Sequence, residues 1–161
     1  MITRRTCLQA IAAAGLSACL AAASLAQAPS FDHLREVRVE VSGDAKTHVF
    51  RAWVADTPQA RVRGLMDVYE LPPDRAMLFR YELPQFASFW MKNTYIPLDL
   101  MFIAPDGRIV NIVENARPLS LALLKSTAPV TQVLEVAGGT AARLGIRPGH
   151  TLETVEAASG D

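Results

Sequence analysis

Residues 89–99 read FWMKNTYIPLD, which sets a lysine, an asparagine and an aspartate among three aromatic rings and a methionine. Past Pro97 the period of two puts Leu98, Leu100 and Phe102 on one face and Asp99 with Met101 and Ile103 on the other. A carboxylate among apolar neighbours needs a cation or backbone donors; the candidate cations are Lys92, Arg61 and Arg63. Two readings follow. In the first, Asp99 caps a turn or pairs with a basic side chain and fixes how the YIPLD corner meets a sheet. In the second, Lys92, Asn93 and Asp99 edge a pocket walled by Trp90 and Tyr95, an aromatic wall with a few convergent polar groups. Seven of the eleven aromatics fall between Phe79 and Phe102, and a hydrophobic core accounts for most of that crowding.

Other chemistries find little support. His33, His48 and His150 are far apart and form no H-E-x-x-H or paired motif, so no metal site and no cofactor is expected. No serine sits in a G-x-S-x-G elbow. Gly138-Gly139 reads as a turn.

The opening thirty residues differ from the rest by composition: Arg4-Arg5, then an Ala/Leu-rich run with no charge until Asp32. This is the pattern of an export signal, residues 1–26, and Thr3-Arg4-Arg5 gives it a twin-arginine character. Small residues at Ser24 and Ala26 place a cut before Gln27. Leu16-Ser17-Ala18-Cys19 offers a competing lipoprotein-type cut that would lipidate Cys19, and an uncleaved anchor is a third outcome. Both cysteines, Cys7 and Cys19, lie in this leader, so a chain starting at Gln27 has neither thiol nor disulfide. The whole chain carries 16 basic and 16 acidic residues; losing Arg4 and Arg5 leaves 14 against 16, a net charge near −2. Such a balance gives no one-signed field to attract nucleic acid or an anionic membrane. The expected location is the periplasm or cell envelope, with the membrane reached only through the leader or a lipid on Cys19.

The elements that must position these residues are mostly short strands. Residues 27–34 read as a linker. Val37, Val39 and Val41 alternate with Arg38, Glu40 and Ser42, a half-buried strand. Ser42-Gly43-Asp44 turns the chain into THVFRAWVAD, its hairpin partner. Thr57-Pro58 is a hydroxyl cap with proline at the first helical position, and Gly64 ends or bends the short helix that follows. AMLFRY (76–81), SFWMKNT (88–94), LDLMFIA (98–104), RIVNIVENA (108–116), TQVLEVAG (131–138) and HTLETVE (150–156) read as further strands. Pro105-Asp106-Gly107 joins two of them in a hairpin. Residues 117–130 form a loop with a helical turn, 140–144 a short helix ended by Gly145, and 157–161 a frayed tail. With 50% hydrophobic residues, the chain suits one mainly β domain over 35–156, an antiparallel sandwich or barrel with one or two short helices.

FWMKNTYIPLD, with Thr57-Pro58, Arg61 and Gly64-Leu65-Met66 upstream, Met77-Leu78-Phe79 between, and Val133-Leu134-Glu135 and Gly138 downstream, resembles the DUF192 family of small, often exported domains. The resemblance spans roughly residues 37–156 and implies a fold similar to a β sandwich, with no reaction attached. Ala76 stands where a glycine is usual, and His150 where the family commonly has aspartate. The signature gathers Arg61, Trp90, Lys92, Asn93, Asp99 and Glu135 as its polar and aromatic members.

That set supports three functions. A preformed groove would bind a small envelope molecule or a peptide, with Trp90 and Tyr95 stacking on it and Arg61, Lys92 and Asn93 hydrogen-bonding it; this is the leading expectation. A hydrolase or lyase would use Asp99 and Glu135 as acid and base, with Lys92 or Arg61 stabilising an anion. An accessory domain would act through an exposed apolar patch.

Overall fold

The computed structural model describes residues 29–155; the leader with Cys7 and Cys19, the cleavage positions and the tail lie outside the described residues. Among the described residues nine strands and two short helices follow one another: β1 (Glu36–Ser42), β2 (Thr47–Ala55), α1 (Pro58–Arg63), β3 (Arg75–Gln85), β4 (Ser88–Phe89), β5 (Leu98–Ile103), β6 (Ile109–Ala116), β7 (Leu124–Lys125), β8 (Val130–Ala137), α2 (Thr140–Leu144) and β9 (Thr151–Val155). Seven strands make one sheet in the order β6-β5-β8-β3-β2-β1-β9, and β4 pairs with β7 in a two-stranded ribbon. The sheet curls into a half-barrel. At one end its edges touch: Arg108 bridges Thr151, and the Leu152 amide donates to the Gly107 carbonyl at 2.8 Å.

The β-rich reading holds, and one of its details changes. The sheet is mixed, because β2 and β3 run parallel, Arg51 beside Arg75 through Ala55 beside Phe79. Of the sandwich and the barrel, the structure lies nearer the barrel: seven strands form one curled sheet. Its concave face buries the Val37-Val39-Val41 stripe with Phe50, Leu78 and Leu134, and α2 plugs it through Ala141. The convex face carries its own buried set, including Met77, Phe79, Leu100, Phe102 and Val133. Both faces being covered explains why all six residues of β5 are buried and why its sequence is a continuous apolar run interrupted only by Asp99.

A parallel pair cannot be closed by a tight turn; it needs a crossover. Residues 56–74 supply it and carry α1 across the convex face, where Leu65, Val68 and Leu71 join the core. Thr57 starts α1 as expected, its hydroxyl accepting from the Ala60 amide at 3.2 Å, and Gly64 ends it at φ 47°. Phe31, in the stretch read as linker, is buried against Trp53 with ring centroids 4.6 Å apart, so the packed domain begins earlier than the strand pattern indicates.

The run at 88–94 departs most from a strand. Pairing stops after Phe89, because Met91 turns inward and is fully buried while its amide donates to the Ser120 carbonyl. The Thr94 amide then closes a turn on Met91, with Asn93 in the left-handed region at φ 54°, which asparagine tolerates better than most residues.

Candidate functional site

The crossover, the β4–β7 ribbon and the convex face of the sheet enclose a half-open cavity of about 500 Å³. The sheet contributes Phe79 and Tyr81 from β3 and Glu135 from β8; α1 contributes Arg61; the ribbon and the turn after it contribute Phe89, Trp90 and Lys92.

Glu135 forms the floor. Its strand neighbours are Met77 on β3 and Leu100 on β5, both fully buried, and only 5% of Glu135 is exposed. Among the described residues no ion pair or hydrogen bond joins its carboxyl. Loss of hydration therefore disfavours the charged form and pushes its pKa up from 4.5 to about 8, so it carries a proton at neutral pH. Beside it Tyr81 is raised from 10, chiefly by burial; the Arg61 charge pulls it down and Glu135 adds to the rise.

Arg61 is held from two sides. Its Nη1 donates to the Arg80 carbonyl at 3.0 Å and to the Asp56 carbonyl, and its guanidinium lies 5.3 Å from the centre of the Tyr81 ring. Lys92 is exposed, with its ammonium 5.4 Å from the centre of the Trp90 ring. Trp90 itself remains 47% exposed at the cavity wall.

Arg61, Trp90, Lys92 and Glu135 are thus brought together, and three other sequence candidates are not. Asp99 is fully buried on the concave face, separated from Glu135 by the sheet although their strands are adjacent. Its Oδ1 accepts from the Asn115 and Gly139 amides at 2.8 and 3.0 Å, and its Oδ2 from the Ala141 amide at 2.7 Å. It satisfies the start of α2, which has no side-chain cap of its own. None of the three candidate cations reaches it: Arg63 pairs with Asp67 at 2.8 Å, and Arg61 and Lys92 are at the cavity. Tyr95 stacks on Tyr69, centroids 4.8 Å apart, and the Asn93 carbonyl accepts from the Asp67 amide; both brace the loop behind the cavity wall. An acid–base couple of Asp99 and Glu135 has no common position for a substrate. Tyr81 was absent from the sequence candidates, though the alternation of AMLFRY puts it on the face of Met77 and Phe79. Among the described residues no cluster of histidine and acidic side chains could hold a metal ion.

The model of the family described as an uncharacterised ACR, DUF192, matches residues 38–154. This chain belongs to the DUF192 family. Two solved structures share its fold at 43% identity. One, from Sinorhizobium meliloti 1021, carries the name of a proposed transcription regulator; it matches with a TM-score of 0.73, covering 75% of this chain and 95% of its own. The other, a protein of unknown function from Novosphingobium aromaticivorans DSM 12444, matches with a TM-score of 0.74, covering 76% of this chain and 87% of its own. No curated protein matches.

Proposed function

We propose that this DUF192 domain is an exported, envelope-located binding protein that holds a small molecule in the cavity between α1, the β4–β7 ribbon and the convex face of the sheet. The observation that carries this reading is Glu135, a buried carboxyl that lines a cavity and has no ion-pair or hydrogen-bond partner among the described residues. Its apolar surroundings make the charged form costly, so packing alone would favour an apolar side chain at this position. The leader composition and the absence of cysteine after residue 26 support the export part of the proposal. Catalysis by two carboxylates is disfavoured by the sheet between them. Ion pairing of Arg38 with Glu40, Arg51 with Asp74 and Arg75 with Glu36 supports a partner other than nucleic acid.

A second reading, a protein-interaction domain, rests on Leu83 near the end of β3 and Phe86 just after it, 76% and 70% exposed, and on exposed Leu121 in the loop before β7.

The test is a thermal-shift screen against sugars, peptidoglycan fragments, nucleotides, amino acids and peptides, in parallel with Trp90→Ala and Lys92→Ala. A ligand of the folded state raises the melting temperature by mass action. The half-exposed position of Trp90 makes its truncation cost less than about 1 kcal/mol, so Trp90→Ala should melt within a few degrees of the parent while losing the ligand shift. No shift with any compound, or a shift that persists in both variants, would contradict the cavity as the binding site.

A further inference from the structure

The chemistry lining the cavity goes further and selects a class of ligand. Arg61 has five N–H donors. Its Nη1 spends two on the Asp56 and Arg80 carbonyls, leaving those on Nη2 and Nε without partners among the described residues. Lys92 stands at the rim over Trp90 without an ion pair among the described residues. The third basic residue of the lining, Arg63, is already neutralised by Asp67. Glu135 is the acidic side chain of the lining, and it lies between Met77 and Leu100 without an ion pair among the described residues. Between these polar ends the walls are aromatic: Phe79 and Phe89 meet edge to face, centroids 4.9 Å apart, and Trp90 also lines the cavity.

Resting on the reading of the cavity as a ligand site, we propose that its occupant is a small monoanion with a flat apolar body. Its acidic group sits at Arg61 and Lys92, its ring lies against Phe89 and Trp90, and an uncharged acceptor takes a hydrogen bond from the Glu135 carboxyl. A cationic ligand fits worse: it would enter past two positive side chains to reach an acid that holds its proton. The other titratable groups lining the cavity are Arg61 and Arg63 from α1, Tyr81 from β3 and Lys92 from the turn after β4. Tyr81 is itself raised from 10. Ionisation of Glu135 near pH 8 therefore places a negative charge beside the ligand and removes a donor, and affinity for the anion falls.

Calorimetric titration with 4-acetylbenzoate, 4-acetylbenzyl alcohol and 4-acetylbenzylamine separates the possibilities, because the three share body and acceptor and differ in charge. The expected order is the benzoate at least tenfold tighter than the alcohol, with no binding of the amine. Lys92→Ala should weaken the benzoate severalfold. Glu135→Gln, which keeps a neutral donor, should bind it within about threefold of the parent and abolish the severalfold loss of affinity between pH 6.5 and 9. Preference for the amine, lost in Glu135→Gln, would overturn the anion and leave the cavity as a binding site. Equal binding of benzoate and alcohol would do the same. If none of the three binds the folded protein at millimolar concentration while the broader thermal-shift screen finds a Trp90-dependent ligand, the class is overturned and the site stands; silence in both experiments overturns both.

Discussion

Two buried carboxyl groups in this molecule have opposite fates, and their neighbours decide which. Asp99 is surrounded by three backbone N–H donors, and Glu135 by apolar side chains and an open cavity. Asp99→Asn keeps the shape but turns an NH₂ group toward those amides, and the loss should be about 2–3 kcal/mol of unfolding free energy by denaturant titration, with binding in the cavity retained. Glu135 behaves differently with pH. Its folded pKa of about 8 exceeds the unfolded 4.5, so the contribution to stability is full below pH 4.5 and is lost as pH rises through 8. At about 1.4 kcal/mol per pH unit this interval corresponds to roughly 5 kcal/mol as an upper figure. Stability should fall between pH 5 and 8 in the parent, and Glu135→Gln should remove most of that slope.

At the scale of elements, α1 is the piece that makes the site, and its two ends are the places to test it. Thr57→Ala removes the hydroxyl that caps the helix and should cost about 1 kcal/mol. Gly64→Ala forces a left-handed φ on a residue with a Cβ that would lie 3.3 Å from the Phe79 ring, adding about 1–2 kcal/mol of backbone strain and altering the cavity wall. Both helix ends were legible in the sequence, as were the first hairpin and the Pro105-Asp106-Gly107 turn, because these signals are local. The parallel pairing of β2 with β3 was not: the apolar pattern of a strand says which face is buried and nothing about the direction of its neighbour. The run at 88–94 misled for a related reason. Met91 is buried from a turn, and a single inward side chain between aromatics has the same composition as a strand.

For the whole molecule, one curled sheet with cores on both faces should unfold as a unit, with coincident transitions by far-ultraviolet circular dichroism and by fluorescence. Phe102→Ala, at the centre of the convex core, should cost about 3–5 kcal/mol. Gly107→Ala tests the closure of the sheet edges, since a Cβ there would meet the Leu152 carbonyl at 2.9 Å at a φ of 83°; a loss of about 2 kcal/mol is expected. The site was partly legible at this scale. Trp90 and Lys92 could be gathered from the FWMKNTYIPLD run, and Arg61 and Glu135 through the family signature, whereas the isolation of Glu135 comes from strands that the sequence does not place beside one another. Asp99 was legible as an acid in need of donors, and the donors came from a helix start that the sheet brings to it.

Carbon-13 NMR titration of glutamate-labelled protein, with Glu135→Gln to assign the resonance, reads whether the carboxyl at the floor of this cavity holds its proton. The Glu135 carboxyl should titrate with a midpoint near pH 8. A midpoint near the ordinary 4.5 would show a hydrated or cation-paired carboxylate, and the site as described would be contradicted.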